Sequence, residues 1–266
     1  MAIIYGPVAS WRLGRSLGID LLNTKRKVCT FNCIYCQLGE TSQFFVEPEE
    51  FIILKQLRSE LESLSPIEAD YVTFSGMGEP TLASNLGQAI ELARSILDLP
   101  VAVLTNCSLM CREDVRQQLT HADVVVAKLD VPNEELFSMV NRPDSSLRFD
   151  AIVDGMRRFR STYLGKLALQ AMFVRANEGY AEEIANLAQS ILPDEVQINT
   201  PLRPSKVKPL PPENIANIQA NFSNLRNVVT VYEAPRREAR PINPAETLRR
   251  RPDLNDSVGS FRLHGG

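Results

Sequence analysis

The chain has 266 residues, of which 44% are hydrophobic and 23% charged, and its formal net charge is −3. These values are typical of a globular protein with a sizeable core, and they exclude a disordered or fibrous chain. The longest apolar runs fall far short of the ~20 residues that a membrane helix needs, and the first residues show no cleavable signal pattern. We therefore expect a cytoplasmic protein with no membrane partner, and the negative net charge provides no general attraction to nucleic acid.

Short β-rich runs alternate with helical patterns over the first 200 residues, which predicts parallel β–α–β units. The predicted strands cover residues 18–22, 71–75, 101–105, 123–129, 167–174 and 196–200. The predicted helices cover residues 48–64, 84–98, 112–119, 133–140, 146–159 and 182–191. Helix N-caps are expected at Ser84, Asn133 and Ser145. Six such units fit a doubly wound sheet or a partial barrel, and periodicity alone does not decide between them.

The composition changes after residue 200. Five prolines fall within the twelve residues 201–212. This shift predicts a core domain over residues 1–200 and a proline-rich C-terminal extension over residues 201–266 that crosses the surface.

Polar segments follow the predicted strands at corresponding positions. They are the cysteine segment 29–36, residues 75–81, residues 105–107, Asp130, Arg175 with Asn177, and residues 200–204. In parallel α/β folds the carboxyl ends of the strands converge on the ligand. We therefore favour a barrel-like arrangement whose active site lies at one mouth and collects all of these segments.

Three cysteines in a C-x3-C-x2-C spacing form the most informative motif: Cys29, Cys33 and Cys36. Without a secretory signal the five cysteines are expected to stay reduced, and clustered reduced cysteines indicate metal binding. Three thiolates can hold three irons of a [4Fe–4S] cube and leave the fourth iron open for a small molecule. A structural zinc loop is the alternative, and it needs a further ligand such as Cys107 or Cys111, because neither histidine lies near the loop.

With Tyr35 directly before the third cysteine, this segment resembles the hallmark of the radical S-adenosylmethionine (SAM) superfamily. The resemblance covers roughly residues 15–200 and implies a partial (β/α)6 barrel, a [4Fe–4S] cluster on the three cysteines, and SAM as second cofactor. In that family SAM chelates the open iron, and an electron from the cluster cleaves it to methionine and a 5′-deoxyadenosyl radical that abstracts a substrate hydrogen. The protein binds, orients and excludes water. Because no flavin motif is visible, the resemblance also implies an external electron donor such as ferredoxin or flavodoxin.

Residues 75–81, SGMGEPT, resemble the motif with which the family holds the SAM amino group. Gly76 and Gly78 would let the backbone approach the ligand closely, and Met77 takes the place of one glycine. Glu79 would pair with the ammonium group. The other residues expected to bind SAM or substrate are Tyr35, Thr105, Asn106, Lys128 and Asp130. For the strand-end residues among them, capping and turn formation is the alternative interpretation.

The motifs do not identify the substrate. Residues 5–22, 36–41 and 196–204 resemble the radical SAM subgroup related to wyosine-forming tRNA enzymes, many of whose shorter members have no assigned substrate. Archaeal-type enzymes of that group carry additional cysteines for a second cluster, and this sequence lacks a matching set. No motif marks a lysine for a Schiff base with pyruvate. We therefore expect an enzyme whose substrate is a nucleoside, a tRNA base, RNA or a small metabolite.

Further residues allow two interpretations. Cys107 and Cys111 are too few for a usual second cluster, and we interpret them as small buried thiols beside the site. Residues 242–258 resemble the start of a helical module that follows the barrel in subgroup relatives, and we expect it to be truncated here. The basic residues that could hold RNA phosphates, or form a solvated face, are Arg142, Arg203, Lys206 and Lys208.

Two other classes of protein stay open at this point. A radical SAM activase would install a glycyl radical on a partner protein, and the cysteine loop does not exclude it. A non-catalytic iron–sulfur or zinc protein would bind nucleic acid through its arginines. The subgroup resemblance disfavours the activase.

Overall fold

The computed structural model describes residues 1–235 and 237–252. Within them eight strands form one sheet, in which neighbours along the chain are also neighbours in the sheet. The strands are β1 (Ile4–Ser10), β2 (Gly14–Ile19), β3 (Tyr71–Phe74), β4 (Val101–Thr105), β5 (Val124–Lys128), β6 (Lys166–Met172), β7 (Glu195–Asn199) and β8 (Val228–Thr230). β1 runs antiparallel to β2, and every later pair is parallel.

Helices connect the parallel strands, and a last helix follows β8. They are α1 (Leu54–Glu62), α2 (Leu86–Leu97), α3 (Glu113–Leu119), α4 (Glu134–Leu136), α5 (Phe149–Thr162), α6 (Ala181–Ile191), α7 (Pro212–Ala220) and α8 (Pro244–Arg250). A π turn over Phe137–Asn141 continues from α4. Among the described residues, no helix combines the length and the apolar composition that a bilayer crossing requires.

The strand order decides between the two architectures that periodicity left open. A doubly wound sheet reverses its strand order at a switch point, whereas a barrel adds each new strand on the same side. Here β2 to β7 follow one another without reversal, and α1 to α6 lie between them along the chain. The chain therefore forms the expected partial (β/α)6 barrel, with β1 added at one edge and β8 at the other.

The two faces of the sheet bury different side chains, because alternate residues of a strand point to opposite faces. Val103, Val125 and Leu169 belong to the large core, which the helices share. The smaller cluster on the other face consists of Leu13, Ala102, Val124, Val126 and Ala168. This cluster covers only part of the inner face, so the carboxyl ends of the strands are left to line a cavity.

The first predicted strand, residues 18–22, is displaced along the chain, since β2 spans Gly14–Ile19. Asp20 ends the strand, because its Oδ1 accepts hydrogen bonds from the backbone N–H groups of Leu22 and Asn23, both at 3.2 Å. When an Asp side chain accepts hydrogen bonds from the backbone two or three residues further on, the chain forms a turn and the strand ends.

β1 is absent from the sequence-based prediction. The dipeptide Gly6–Pro7 within it is typical of turns, and proline cannot donate a hydrogen bond to a sheet. In the structure this pair lies at a register shift between Tyr5 and Val8, where the ladder between β1 and β2 is interrupted. The bulge therefore allows a strand that the local sequence argues against.

One of the three predicted N-caps is confirmed. Asn133 precedes α4, and its side chain accepts a hydrogen bond from a backbone N–H of the first turn at 3.0 Å. The predictions at Ser84 and Ser145 are wrong: α2 has Asn85 at its N-cap and α5 has Arg148, both without a capping side-chain bond. Helical periodicity locates a helix but does not define its first residue.

The proline-rich segment after residue 200 does more than cross the surface. Pro212 occupies the first turn of α7, where proline is well tolerated, and β8 then pairs in parallel with β7. α8 packs against β1, and its buried Arg250 forms an ion pair with Asp20, with 2.8 Å between Nε and Oδ2. The expectation of a surface tail is therefore wrong for α7, β8 and α8. Residues 253–258 of the expected helical module lie outside the described residues.

Candidate active site

The cysteine segment and the carboxyl ends of the parallel strands enclose a cavity of about 480 Å³. This volume lies within the range of about 300–1,000 Å³ that small-molecule sites occupy. The sequence-based candidates that line the cavity are Cys29, Cys33, Tyr35, Cys36, Gly78, Glu79, Thr105, Asn106 and Lys128. The fold therefore brings the cysteine segment and the ends of β3, β4 and β5 together at one mouth.

Backbone hydrogen bonds hold the cysteine segment between two neighbouring loops. The N–H of Val28 donates to the carbonyl of Met77 at 2.9 Å, and the N–H of Glu79 donates to the carbonyl of Val28 at 3.1 Å. On the other side, the N–H of Ile34 donates to the carbonyl of Val140 at 3.0 Å. The segment is thus fixed to the loop after β3 at one end and to the π turn at the other.

Gly78 is required by a close contact within the protein. A Cβ at this position would lie 1.5 Å from the carbonyl oxygen of Val28, a distance that no side chain tolerates. At Gly76 a Cβ would lie 2.2 Å from the Cγ of Asp20, so this glycine packs against the end of β2. The two glycines let the loop after β3 lie directly against the chain on either side of it.

Cys29 and Cys33 lie in surroundings that disfavour free thiolates. Cys29 is buried, and Cys33 and Cys36 are half-buried. Burial raises the pKa of Cys29 to about 12 in spite of the positive charge of Lys27, and it raises the pKa of Cys33 in spite of the charge of Lys128. Thiolate ligands at this site therefore need the positive charge of a bound metal.

The arrangement of the thiols suits some metal centres better than others. Within the described part of the chain, no three His, Cys, Asp or Glu side chains lie close enough to bind one metal ion together. A [4Fe–4S] cube does not need this, because each of its cysteine ligands binds a different iron. Three thiols around one cavity therefore fit a multi-iron cluster better than a single zinc ion, which needs four converging ligands.

Glu79 is buried, and four hydrogen bonds hold its carboxylate. Oε1 accepts from the hydroxyl of Thr105 at 2.7 Å and from the hydroxyl and N–H of Thr81 at 2.7 and 3.1 Å. Oε2 accepts from the N–H of Asn106 at 2.6 Å. Burial raises the pKa of Glu79, while these bonds oppose the rise by stabilising the charged form. The result is an oriented carboxylate in the cavity wall, whose surroundings a cationic ligand would complete.

Asp130 does not line the cavity but contacts two residues that do, Tyr35 and Lys128. Its Oδ2 accepts hydrogen bonds from the hydroxyl of Tyr35 and from Nδ2 of Asn141, the latter at 2.8 Å. Its Oδ1 accepts from the N–H of Met172 at 2.8 Å and lies 3.6 Å from Nζ of Lys128. Burial, and then the charge of Asp130, hold the pKa of Tyr35 well above its usual value, so the phenol stays protonated. The contacts of Asp130 thus position Tyr35 and Lys128, which do line the cavity.

Asn177 and Arg175, the candidates after β6, are both bound to other residues of the protein. Asn177 is buried, and its Nδ2 donates to the backbone oxygens of Asp130 and Met172 at 2.7 and 2.9 Å. Arg175 is exposed and pairs with Glu178 at 2.6 Å. Capping of the strand end, the alternative interpretation, therefore applies to Asn177.

The remaining candidates separate by burial. Cys107 is buried as expected, but the same expectation is wrong for Cys111, which is exposed in the turn that precedes α3. Arg203 lines the cavity. The other three basic candidates, Arg142, Lys206 and Lys208, lie exposed on the surface.

Some residues of the cavity wall are not among the site candidates named from the sequence. They are Trp11, Arg12, Lys27, Gln170, Asn199 and Arg251. Gln170 and Asn199 lie near the carboxyl ends of β6 and β7, so the same rule that selected Thr105 could have found them. Arg12 and Arg251 lie in segments that carry the subgroup resemblance, but no predicted strand end precedes them: Arg12 follows β1 and Arg251 follows α8.

Residues 26–188 match the radical SAM superfamily. A UPF0026 protein of Methanocaldococcus jannaschii is 37% identical over 235 residues, which cover 85% of this chain and 72% of that protein. A protein of Sulfurisphaera tokodaii with the name "Probable GTP 3',8-cyclase" is 28% identical over 189 residues, which cover 70% of this chain and 57% of that protein.

Solved structures of SuiB from Streptococcus suis share the fold. SuiB bound to its precursor peptide SuiA is 14% identical with a TM-score of 0.61, over 82% of this chain and 49% of SuiB. SuiB bound to S-adenosylmethionine is 16% identical with a TM-score of 0.55, over 79% of this chain and 50% of SuiB. The chain thus spans about half the length of SuiB, and the likeness confirms the partial barrel. The match over residues 26–188 and the 37% identical relative show that this chain belongs to the radical SAM superfamily and is a radical SAM enzyme.

Proposed function

We propose that this enzyme binds a [4Fe–4S] cluster through Cys29, Cys33 and Cys36, binds SAM beside it, and removes a hydrogen atom from a substrate in the same cavity. The observation that carries the proposal is the convergence of three thiols and the carboxylate of Glu79 on one cavity. When bound and reduced by an external donor such as ferredoxin or flavodoxin, these cofactors supply the 5′-deoxyadenosyl radical chemistry. The side chains around them bind, orient and keep water out.

The groups next to the sulfur atoms support a cluster here. Nδ2 of Asn106 lies 3.6 Å from Sγ of Cys29, and Nδ2 of Asn141 lies 3.6 Å from Sγ of Cys33. Amide groups that donate toward thiolate sulfur stabilise its negative charge and tune the reduction potential of a bound cluster. We assign both asparagines a positioning role toward the cysteine ligands.

Glu79 is proposed to bind the SAM amino group. An ammonium donates three hydrogen bonds and supplies the cation that a buried carboxylate needs. Thr105 and Asn106 hold the carboxylate in its orientation. Lys128 suits the SAM carboxylate, and its Nζ lies 4.7 Å from the ring centroid of Tyr35, within range of a cation–π contact.

For the substrate we propose a nucleoside, a nucleotide or a base of tRNA. The relative from Sulfurisphaera tokodaii supports this class, since its name refers to GTP. The cavity of about 480 Å³ must also hold SAM, so only a small molecule or one unit of a larger chain has room to enter.

The proposal is tested by anaerobic reconstitution of the full chain with iron and sulfide. The expected result is a brown protein whose electron paramagnetic resonance signal changes when SAM is added. After reduction with dithionite the protein should form 5′-deoxyadenosine. Because each thiol would hold one iron, Cys29→Ala, Cys33→Ala and Cys36→Ala should each abolish this product.

Cys111→Ala is the matched control, because it removes an exposed cysteine outside the cavity and should keep full activity. Circular dichroism checks that each variant folds. Formation of 5′-deoxyadenosine by any of the three cavity variants would contradict the proposal, as would a metal held by four side chains.

A further inference from the structure

The cavity is strongly basic although the whole chain is acidic. Among the described residues that line it, five are Lys or Arg and one, Glu79, is a carboxylate, whereas the chain has a formal net charge of −3. A concave surface lined by charges of one sign concentrates ligands of the opposite sign. The cavity therefore favours a ligand that carries negative charge.

The basic side chains belong to two groups. Lys27 and Lys128 lie beside the cysteines, where their charges oppose the effect of burial on the pKa of the thiols. The charges of Arg203 and Arg251 act instead on Arg12. We call the part of the cavity formed by Arg12, Arg203 and Arg251 the arginine side, and the part formed by the cysteine segment and the ends of β3 to β5 the cysteine side.

Arg12 is half-buried, and two nitrogen atoms of its guanidinium have no hydrogen-bond partner among the described residues. Its Nε and Nη1 are buried, and neither forms a hydrogen bond within residues 1–235 and 237–252. Burial, and then the charges of Arg251 and Arg203, lower the pKa of Arg12 to about 9. Glu195 acts in the opposite direction, but its carboxylate is already paired with Lys166 at 2.7 Å. Enclosed guanidinium nitrogens of this kind are stabilised when a counter-charge completes their surroundings.

The β1–β2 turn fixes the position of Arg12. Oγ of Ser10 accepts hydrogen bonds from the N–H groups of Arg12 and Leu13 at 3.3 and 3.2 Å, and the Leu13 side chain packs in the small inner cluster. Cζ of Arg12 lies 5.0 Å from the ring centroid of Trp11. These contacts hold the turn in place. Nε and Nη1 of Arg12 nevertheless form no hydrogen bond with the described residues. Buried polar groups are otherwise almost always paired, which points to a ligand.

Arg203 and Arg251 reach the cavity from two other segments. Arg203 follows β7, and its Nη1 donates to the carbonyls of Arg251 and Pro252, both at 3.3 Å. Arg251 follows α8, which the ion pair between Arg250 and Asp20 attaches to the core. Three segments far apart along the chain thus converge to place like charges together. The charges of Arg251 and Arg203 lower the pKa of Arg12, and an anion bound beside Arg12 would relieve this repulsion.

We propose that Arg12, Arg203 and Arg251 bind a phosphate group of a phosphorylated substrate, whose reacting carbon points toward the cysteine side. The direction of the reacting carbon rests on the proposed function, whereas the binding of phosphate does not. Guanidinium groups form paired, charge-assisted hydrogen bonds with phosphate oxygens. Three of them match a group with at least two negative charges, which favours a phosphate or polyphosphate over a single carboxylate. The SAM carboxylate is assigned to Lys128 on the cysteine side in the proposed function, which leaves the arginine side for the substrate.

The test measures binding of inorganic pyrophosphate to the full chain, without SAM or reductant, by titration calorimetry and by the shift in unfolding temperature. Pyrophosphate is expected to bind and to raise the unfolding temperature, because it neutralises the arginine side. Arg12→Gln should bind about tenfold to a hundredfold more weakly, as expected for the loss of a charge-assisted hydrogen bond. Arg58→Gln is the matched control, since Arg58 is an exposed residue of α1 that pairs with Glu62, and it should bind normally.

The unfolding temperature without pyrophosphate separates a binding role from a structural one. Arg12→Gln removes a charge whose buried Nε and Nη1 have no hydrogen-bond partner among the described residues, so the variant should be as stable as the unaltered chain or more stable. A structural Arg12 would give a less stable variant that still binds pyrophosphate normally, and that result overturns the proposal. Arg251→Gln is the second variant and should also weaken binding. Absence of pyrophosphate binding by the unaltered chain, or equally tight binding of malonate, overturns the proposal as well.

The Cys29→Ala variant distinguishes this inference from the proposed function. It should lose SAM cleavage but bind pyrophosphate like the unaltered chain, because Cys29 belongs to the cysteine side. If the unaltered chain binds pyrophosphate but does not cleave SAM, the proposed function is wrong and the phosphate site is still supported. Failure of pyrophosphate binding with SAM cleavage intact would remove the phosphate site alone.

Discussion

The two sides of the cavity differ in how far the protein satisfies its own charges. On the cysteine side, the carboxylates of Glu79 and Asp130 are held by hydrogen bonds from several loops. On the arginine side, within the described residues, Nε and Nη1 of Arg12 form no hydrogen bond. A satisfied network keeps its geometry before a ligand arrives, whereas an unpaired cation is stabilised only when an anion binds. The cysteine side is therefore preorganised, whereas the charges of the arginine side are neutralised only when a ligand binds.

The largest effect on stability is expected at the ion pair that attaches α8. Arg250→Met leaves the buried Asp20 without its partner, and breaking a buried pair in this way costs about 3–5 kcal/mol of unfolding free energy. Urea unfolding measures the loss. Because α8 leads to Arg251, pyrophosphate binding should fall too, while reconstituted iron content should stay normal.

Arg58→Met is the control for this substitution. It breaks the exposed pair with Glu62, at 3.4 Å, and should change the unfolding free energy by less than about 1 kcal/mol. An equally small change for Arg250→Met would show that this pair does not hold α8. Loss of iron content in Arg250→Met would show that the two sides of the cavity are not independent.

The next largest effect is expected on the cysteine side at Gly78. Gly78→Ala places a Cβ against the carbonyl of Val28, so the cysteine segment must shift, at a cost of about 1–3 kcal/mol in stability. Iron content after reconstitution should fall because the thiols move. Gly179→Ala is the matched control, since a Cβ there meets no atom within 4 Å. Normal iron content in Gly78→Ala would mean that the segment tolerates displacement.

A smaller effect is expected from Glu79→Gln, which removes the charge and keeps the shape. SAM should bind the reconstituted protein about tenfold more weakly, equivalent to roughly 1.4 kcal/mol. Equilibrium titration with SAM measures this loss. Glu62→Gln, on the exposed face of α1, is the control and should bind SAM normally. Unchanged affinity in Glu79→Gln would remove Glu79 from the SAM site.

The same carboxyl predicts a pH dependence. Burial raises the pKa of Glu79 above its unfolded value, so the folded chain keeps this proton to a higher pH than the unfolded chain does. The contribution of Glu79 to stability without SAM is therefore lost as pH rises through the raised pKa. SAM affinity should instead rise over the same interval, because the ammonium binds the ionised form. Both trends should disappear in Glu79→Gln, and their persistence would assign them to another group.

The smallest effect is expected from Tyr35→Phe. Asp130 loses one hydrogen bond but keeps those from Asn141 and Met172, so the unfolding free energy should fall by about 0.5–1.5 kcal/mol. Thermal unfolding measures this change, and Tyr180→Phe at an exposed site is the control. A loss as large as that of Gly78→Ala would mean that the whole network depends on the Tyr35 hydroxyl.

The residues of the cysteine side could largely be predicted from the sequence, but which of them line the cavity could not. The cysteine spacing is local, and parallel β–α units place successive strand ends at one edge, so Glu79 and Lys128 could be expected in the same cavity. Asp130 and Gly76 lie behind that wall instead. Whether a side chain faces the cavity depends on the course of the backbone after the strand, which composition does not reveal.

The α/β class, the six parallel units and the cysteine motif could all be inferred from the chain alone, because periodicity and short spacings record local conformation. Arg203 could be expected at the mouth, but the positions of β1 and β8 and the approach of Arg12 and Arg251 could not, because no local pattern links Arg12 to Arg203 or Arg251. The pair that anchors this side, Asp20 with Arg250, joins residues 230 positions apart. Such groups meet only when packing of the whole core offsets the entropy lost in bringing distant segments together.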